Sequence, residues 1–180
     1  CPGAIIINPI ANCSYPGDSE IQVESRFWDG PVHESVWSFG NSRRAWLTIA
    51  ECYEMQYGIR SINLMVPNAY GPGDYDDPNK AHALTGMVLR MLDAQTEGAA
   101  AFEIWGSGKP IREWIYVDDI ARIIGQVVEP GLKIPSQVNV AQNEGYSVSR
   151  LAELIRAAIG YDGRMVFNTQ YQDGAPEKRL

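Results

Sequence analysis

Hydrophobic residues follow two spacings along this chain. Residues 4–8 form a short continuous apolar run, which predicts a fully buried strand. Residues 59–66 alternate between apolar and polar positions, which predicts a strand with Ile62, Leu64 and Val66 on one face. Three more short runs, at 102–105, 137–141 and 164–168, predict further strands.

Four other segments repeat their apolar positions every three or four residues and therefore predict helices. Side chains that can cap a helix precede the apolar positions, and glycines that can adopt a left-handed conformation follow two of the segments. The expected bounds are Asn41 or Ser42 to 57 (ended by Gly58), 81–95, Asp118 or Asp119 to 129, and Ser147 to 160.

Two segments lack both spacings and are predicted to be loops. Residues 11–38 are interrupted by Pro, Gly and Asp, and Trp28 and Trp37 are candidate anchors for them. Residues 67–74 leave the carboxyl end of a predicted strand. Strands that alternate with helices predict an α/β fold with a mainly parallel sheet, in which ligands bind beyond the carboxyl ends of the strands.

Composition and charge narrow the possible partners. The 180 residues are 45% hydrophobic, which is enough for a packed domain, and no apolar run approaches the roughly 20 residues of a membrane helix. The net charge of −7 disfavours a nucleic-acid surface but permits a local basic pocket. Cys1, Cys13 and Cys52 lack metal-ligand spacing, so no metal site and a reducing, cytoplasmic location are expected.

Three strings, in their order and spacing, resemble motifs of the extended short-chain dehydrogenase/reductase family, the NAD-dependent epimerases and dehydratases. They are NAYGPGD at 68–74, WGSGKPIREWIYVDD at 105–119 and DGAPEK at 173–178. Within that family the resemblance is strongest to the GDP-L-fucose synthases. These enzymes epimerise a GDP-4-keto-6-deoxymannose at two carbons and then reduce the ketone with NADPH. The resemblance implies a partial Rossmann-like parallel sheet with helices and a small interleaved substrate-binding α/β lobe.

The register of the resemblance implies a division of the chain. Residues 4–8 match the fifth strand of the family's Rossmann domain, and no glycine-rich dinucleotide loop occurs in this sequence. NADP or NAD is the implied cofactor, and a homodimer, or a partner chain with the missing amino-terminal half, is the implied assembly. The expected segments are 1–80 and 113–145 for the Rossmann domain, and 81–112 and 146–180 for the substrate lobe.

The resemblance also implies that the residues of the reductive step have changed. The family uses a Ser, a Tyr that donates a proton to the carbonyl oxygen, and a Lys four residues after that Tyr. Ala11, Phe39 and Arg43 stand at these positions. Phe39 has no acidic proton, and the planar guanidinium of Arg43 does not copy a lysine point charge. Ordinary carbonyl reduction is therefore expected to be lost.

Other family positions keep chemically suitable residues. Cys13 and His82 match the pair that moves protons alpha to the ketone, and both types titrate near neutral pH. The implied nucleotide-sugar contacts are Arg90, Trp105, Arg112 and Asp173. The implied contacts to the nicotinamide end of the cofactor are Pro9, Ile10, Ala11, Asn12, Arg43, Val66, Pro67, Asn68 and Ala69.

Structural roles remain open for several of these residues. Cys13 could be a small buried residue and His82 a surface residue, while Arg90 could be a solvated helix charge and Trp105 a core aromatic. Three functions follow. The first is an enzyme that acts on a GDP- or dTDP-4-keto-6-deoxy sugar, the second is a non-catalytic NAD(P)- or nucleotide-sugar-binding regulatory protein, and the third is a reductase with relocated acid chemistry.

Overall fold

A computed structural model describes residues 4–18, 21–129 and 131–180. Cys1 lies outside this range. The four helices among the described residues are α1 (Trp37–Tyr57), α2 (Ala83–Thr96), α3 (Val117–Val127) and α4 (Val148–Ile159). The strands are β1 (Ile5–Ala11), β2 (Arg60–Val66), β3 (Asn68–Tyr70), β4 (Ala101–Trp105), β5 (Ile111–Tyr116), β6 (Gln137–Asn139), β7 (Gly145–Ser147), β8 (Arg164–Asn168) and β9 (Glu177–Lys178).

The strands form three small sheets. β1, β2 and β6 are parallel, in that order. β5 lies at the centre of the second sheet, parallel to β3 and β9 and antiparallel to β7. β4 and β8 form a parallel pair. Helices lie in the connections between the parallel strands, as crossover connections usually require, and the predicted α/β fold is confirmed.

Two hydrophobic clusters show which helices pack against which strands. In one, α2 and α4 pack against β4, and Trp114 on β5 closes the cluster. In the other, the apolar face of α3 packs against β2, Ile115 and Val140. The division into Rossmann and substrate-lobe segments stays a prediction. No helix in the described part of the chain is long and apolar enough to cross a bilayer.

Burial and pairing add detail to the predictions for β2 and β1. β2 is buried at five consecutive positions, Ser61–Met65, because it is the middle strand of its sheet and both faces are covered. Ile62, Leu64 and Val66 pack in the same hydrophobic cluster, which agrees with their predicted position on one face, and the polar Ser61 and Asn63 are buried as well. β1 continues to Ala11, beyond the predicted end at residue 8, and Ile5 is exposed. Within the described part of the chain β1 pairs with β2 alone, and such an edge position tolerates Pro9 because no ladder hydrogen bond is lost on the free side.

Helix α1 begins earlier than predicted. Its N-cap is Val36, so Asn41 and Ser42 lie inside the helix instead of capping it. The side chain of Asn41 donates to the carbonyl of Trp37, and the hydroxyl of Ser42 donates to the carbonyl of Phe39. Both polar side chains are thus satisfied one turn back along the helix. Gly58 adopts the predicted left-handed conformation and ends the helix.

Four strands, β3, β5, β7 and β9, were not predicted from the sequence. β3 lies within the expected 67–74 loop, and β5 and β7 lie where only turns and helix starts were expected. The prediction that Asp118 or Asp119 caps α3 is also wrong, because both lie in its first turn. There their charges still favour the positive end of the helix dipole. The caps at Ser147 and Gly160 on α4 are confirmed.

Arg44 on α1 holds the long loop that precedes the helix. Its guanidinium donates to the carbonyls of Ser14, Phe27 and Gly30 at 2.7–2.9 Å. Phe27 is fully buried and lies beneath the guanidinium, whereas the predicted anchors Trp28 and Trp37 are more than half exposed. The loop is therefore fixed by Phe27 and an arginine, since only a guanidinium forks to three carbonyls.

We expect Arg44→Lys to lower the free energy of unfolding by about 1–3 kcal/mol, because the ammonium cannot reach three divergent carbonyls. Urea denaturation followed by circular dichroism measures the change. Arg26→Lys is the matched control, since Arg26 only pairs with Asp29 on the surface, and it should change stability by less than about 0.5 kcal/mol. Equal effects of the two substitutions would contradict this role.

Candidate functional site

The segments predicted to contact a cofactor leave two neighbouring parallel strands at the same edge. Ala11 at the end of β1 is paired with Val66 at the end of β2. Asn12 and Pro67 therefore leave the sheet side by side, where ligands of parallel sheets bind. The side-chain amide nitrogen of Asn12, Nδ2, is buried and has no hydrogen-bond partner among the described residues. Pro9, Ile10 and Ala11 belong to β1 itself, and Asn68 and Ala69 begin β3.

Cys13 lies in the single helical turn that follows β1. The residue is 8% exposed, and burial raises the pKa of its thiol, while the positive charges of Lys178 and Arg43 act in the opposite direction. At neutral pH the resting group is therefore a thiol. Gly40 allows α1 to approach this turn, because a Cβ at that position would lie 2.8 Å from the carbonyl oxygen of Cys13.

Phe39 and Arg43 contact each other on the first turns of α1. The guanidinium carbon of Arg43 lies 4.9 Å from the centre of the Phe39 ring, a cation–π distance. Phe39 is 46% exposed. Together with Ala11 in β1, these residues provide no hydroxyl that could protonate a carbonyl oxygen.

His82 caps the amino end of α2 and is held by Asp74. Its ring nitrogen Nδ1 lies 3.0 Å from Oδ1 of Asp74, and its main-chain N–H donates to Oδ2 at 3.2 Å. Hydrogen bonds from His82 keep the pKa of Asp74 well below its ordinary range, so Asp74 is ionised at neutral pH. Asp74, His82 and Ala69 line one cavity of about 360 Å³.

The four predicted nucleotide-sugar residues line a second cavity, of about 320 Å³. Asn68 and Trp114 line it as well, and so do Ala81 and Ala83, the immediate neighbours of His82. The two cavities therefore adjoin at β3 and at the start of α2. The structure thus brings together Arg90, Trp105, Arg112 and Asp173.

Aromatic rings position the first arginine of this cavity. The guanidinium of Arg90 lies 4.2 Å from the Trp105 ring and 5.1 Å from the Phe102 ring, and Tyr171 stacks on Trp105 at 4.9 Å. Trp105 is 44% exposed and is not a core residue. Since these contacts leave Arg90 without a carboxylate partner in the described part of the chain, its charge is available to an anionic ligand.

Arg112 and Asp173 are engaged in different ways. Arg112 donates to the carbonyls of Ile111 and Asp173, and burial lowers its pKa without neutralising it. The carboxylate of Asp173 accepts from both the N–H and the hydroxyl of Ser107 at 2.7 and 2.6 Å. Asp173 therefore fixes the 106–108 turn at the rim of the cavity.

Several residues of the site were not singled out from the sequence. The sequence places Asp74 in a loop motif but gives it no role. It does not indicate Tyr171 or Trp114 as residues of the site. Lys178 belongs to the 173–178 motif. It lies near Cys13 because β9 pairs with β5, with Lys178 opposite Arg112. No group of three or more potential metal ligands occurs among residues 4–18, 21–129 and 131–180.

Comparison with known proteins places these features in a family. The model of the NAD dependent epimerase/dehydratase family matches residues 6–141. The chain belongs to this family. The 68–74 and 105–119 motifs lie in the matched region, and so do Cys13 and His82.

The similar proteins of known name include several GDP-L-fucose synthases. The chain is 30% identical to GDP-L-fucose synthase of Escherichia coli K12, covering 94% of this chain and 56% of that one. It is 29% identical to a probable GDP-L-fucose synthase 1 of rice, covering 94% and 52%. The chain thus spans about half the length of these curated relatives. A GDP-L-fucose synthetase of Naegleria fowleri, solved with NADP bound, shares the fold, with a TM-score of 0.85 at 24% identity over 97% of this chain and 56% of that one.

Proposed function

We propose that this chain forms part of an enzyme that epimerises a GDP- or dTDP-4-keto-6-deoxy sugar. The observation that carries the proposal is the cavity that Arg90 and Arg112 line together with Trp105. Two guanidinium groups match the two negative charges of a sugar nucleotide diphosphate, and arginine binds phosphate oxygens bidentately. The same cavity adjoins the one that holds His82, so a sugar attached to the diphosphate would extend toward an acid/base group.

The proposed chemistry is proton transfer at a carbon next to the ketone. The Nε2 atom of His82 removes the proton, which breaks the C–H bond and leaves an enolate. The buried thiol of Cys13 then gives its proton to the opposite face of that carbon, and solvent restores both groups. The raised pKa of Cys13 fits a resting proton donor. This order of steps makes His82 the base and Cys13 the acid.

Reduction of the ketone is proposed to be impaired. A carbonyl that receives hydride needs a positioned acid for its oxygen. Phe39 and Ala11 carry no such proton, and Arg43 stacks on Phe39. The expected product is therefore an epimerised keto sugar and not an alcohol.

NADP or NAD is the proposed cofactor, contacted by this chain at its nicotinamide end. The residues that would hold it are Asn12, Arg43 and the segment 66–69. The buried, unpartnered amide of Asn12 fits a polar ligand at this sheet edge. When bound, such a cofactor supplies hydride to a carbonyl carbon. We further propose that the assembly is a homodimer, or that a partner chain provides a glycine-rich dinucleotide-binding part.

Solvent-deuterium incorporation tests the proposal. The protein expressed from its complete reading frame is incubated in D₂O with a GDP- or dTDP-4-keto-6-deoxy sugar, and the sugar is analysed by NMR. We expect deuterium next to the ketone and little oxidation of NADPH. Binding of the nucleotide sugar without any exchange would contradict the enzyme and favour a regulatory binding protein. Rapid NADPH oxidation would favour a reductase with relocated acid chemistry.

Arg112→Ala should weaken the binding of GDP-mannose about 10- to 100-fold, because it removes a charge-assisted contact to the diphosphate worth about 1.5–3 kcal/mol. Isothermal titration calorimetry measures the affinity. Arg150→Ala is the matched control, since Arg150 lies on the outer surface of α4 and pairs with Glu153. An unchanged affinity in Arg112→Ala, with an unchanged melting temperature, would remove Arg112 from the ligand site.

A further inference from the structure

We propose that Asp74 is a positioning residue that fixes the His82 ring with Nδ1–H donated to its carboxylate, so that Nε2 is free to take a proton. The catalytic importance of this contact rests on the function proposed for His82, but the contact and the tautomer do not. Nothing in the sequence motifs assigns this role to Asp74.

The geometry ties Asp74 to His82 at two points. Oδ1 lies 3.0 Å from the ring nitrogen Nδ1, and Oδ2 accepts from the His82 main-chain N–H at 3.2 Å. Oδ1 also accepts from the main-chain N–H of Tyr75 at 2.8 Å. The carboxylate is thus held at both ends of the segment that it closes, and it cannot rotate away from the ring without losing these main-chain bonds.

The charge state of Asp74 decides the tautomer of the ring. Its side chain is only 11% exposed, and its hydrogen bonds keep its pKa below the ordinary range. An ionised carboxylate only accepts hydrogen bonds, so Nδ1 must carry the hydrogen. In the neutral ring Nε2 then has a free lone pair, and the ring is 75% exposed beside the cavity that Ala69 also lines.

The other histidine shows the opposite arrangement. The main-chain N–H of Ser35 donates to Nδ1 of His33 at 3.2 Å, so in His33 the neutral ring carries its hydrogen on Nε2. The sequence contains two histidines in total. Each molecule therefore has one ring of each tautomer, and His33 is an internal reference for His82.

Neighbouring charged residues do not provide the same contact. Asp77 accepts from the main-chain N–H of Asn79 and pairs with Lys80 at 3.4 Å. Asp76 and Lys80 line the adjoining acidic pocket with Asp74. Asp77 is a matched control, because its loss removes the same charge from the same loop without removing a hydrogen bond to His82.

The test is long-range ¹H–¹⁵N NMR of the imidazole rings in the full-length protein, at a pH where both rings are neutral. In the parent protein we expect one Nδ1–H ring and one Nε2–H ring. Asp74→Ala should convert His82 largely to the Nε2–H form that predominates in water, and His33 should not change. Asp77→Ala should change neither ring. Asp74→Asn provides a second variant if Asp74→Ala does not fold, and its amide should also reduce the Nδ1–H population.

The deuterium-exchange rate provides the functional arm. Asp74→Ala and Asp74→Asn should slow exchange about 10- to 100-fold with little change in KM, as expected when an orienting partner is lost. Asp77→Ala should leave the deuterium-exchange rate unchanged. A His82 ring that keeps its Nδ1–H form without Asp74, or exchange that stays fast after the tautomer has changed, overturns the proposal. If the parent protein shows no exchange, the proposed function fails while the NMR spectra still decide the tautomer.

Discussion

Replacing Glu113 with Ala is expected to lower the free energy of unfolding by about 3–6 kcal/mol, and Glu113→Gln by about 2–3 kcal/mol. Glu113 is fully buried on β5. One carboxylate oxygen accepts from the main-chain N–H groups of Gln142 and Asn143 at 2.7 and 2.9 Å. The other accepts from the N–H of Leu180 at 2.8 Å.

The size of the effect follows from what the carboxylate satisfies. Alanine leaves three donors without partners, whereas glutamine turns one amide nitrogen toward a donor. Since domains are stable by only about 5–15 kcal/mol, the alanine variant loses a large part of that margin. The turn after β6 and the segment after β9 should loosen together, because Glu113 connects both to β5.

Urea denaturation and hydrogen exchange of the Gln142, Asn143 and Leu180 amides measure this prediction. Glu153→Gln is the matched control, because Glu153 lies on the surface of α4 and pairs only with Arg150. We expect it to stay within about 0.5 kcal/mol of the parent protein. A Glu113→Ala protein as stable as the control would show that the three hydrogen bonds contribute nothing net.

The second large effect is expected for the proposed acid/base pair. Cys13→Ala with His82→Ala should reduce solvent-deuterium exchange about 10²- to 10⁴-fold, the range for loss of positioned acid–base groups. His82→Ala alone should reduce exchange and inversion about as much as the double variant does, because the positioned base that removes the proton is then absent. Cys13→Ala alone should slow inversion more than exchange, because the enolate can still be reprotonated from the side of His82.

The chain offers a matched control for this pair. Cys52 is exposed on α1, and His33, which hydrogen-bonds to Ser35, lines neither of the two cavities. The Cys52→Ala, His33→Ala double variant removes the same chemical groups from other places and should exchange at the parent rate. Exchange that persists in the Cys13, His82 double variant would assign the chemistry to other residues, and the control would show whether the assay reports the site.

Much of the fold could be predicted from local patterns. α2 and α4, the caps at Ser147 and Gly160, and the strands around residues 104 and 166 follow from apolar spacing and from glycine chemistry. The errors have a shared cause. β3, β5, β7 and β9 are short or irregular in pattern. They form because β5 pairs with the other three, and such pairing is not encoded in local periodicity.

The candidate site, like the fold, was only partly predictable from the sequence. Family motifs correctly grouped Arg90, Trp105, Arg112 and Asp173, which are far apart in sequence but line one cavity. They did not identify Tyr171, which stacks on Trp105, or Asp74, which holds His82. Those contacts depend on side-chain direction across loops, and no spacing rule predicts it.

The sequence by itself determined the α/β class, the family and the acidic balance, and it predicts that Ala11, Phe39 and Arg43 replace the reductive residues. These properties follow from residue identity and order. The tertiary structure decided the charge states and contacts. Burial keeps Cys13 a thiol, an ionised Asp74 sets the His82 tautomer, and a fully buried Glu113 joins three segments. Such properties depend on desolvation and on long-range hydrogen bonds, which exist only once distant segments are packed together.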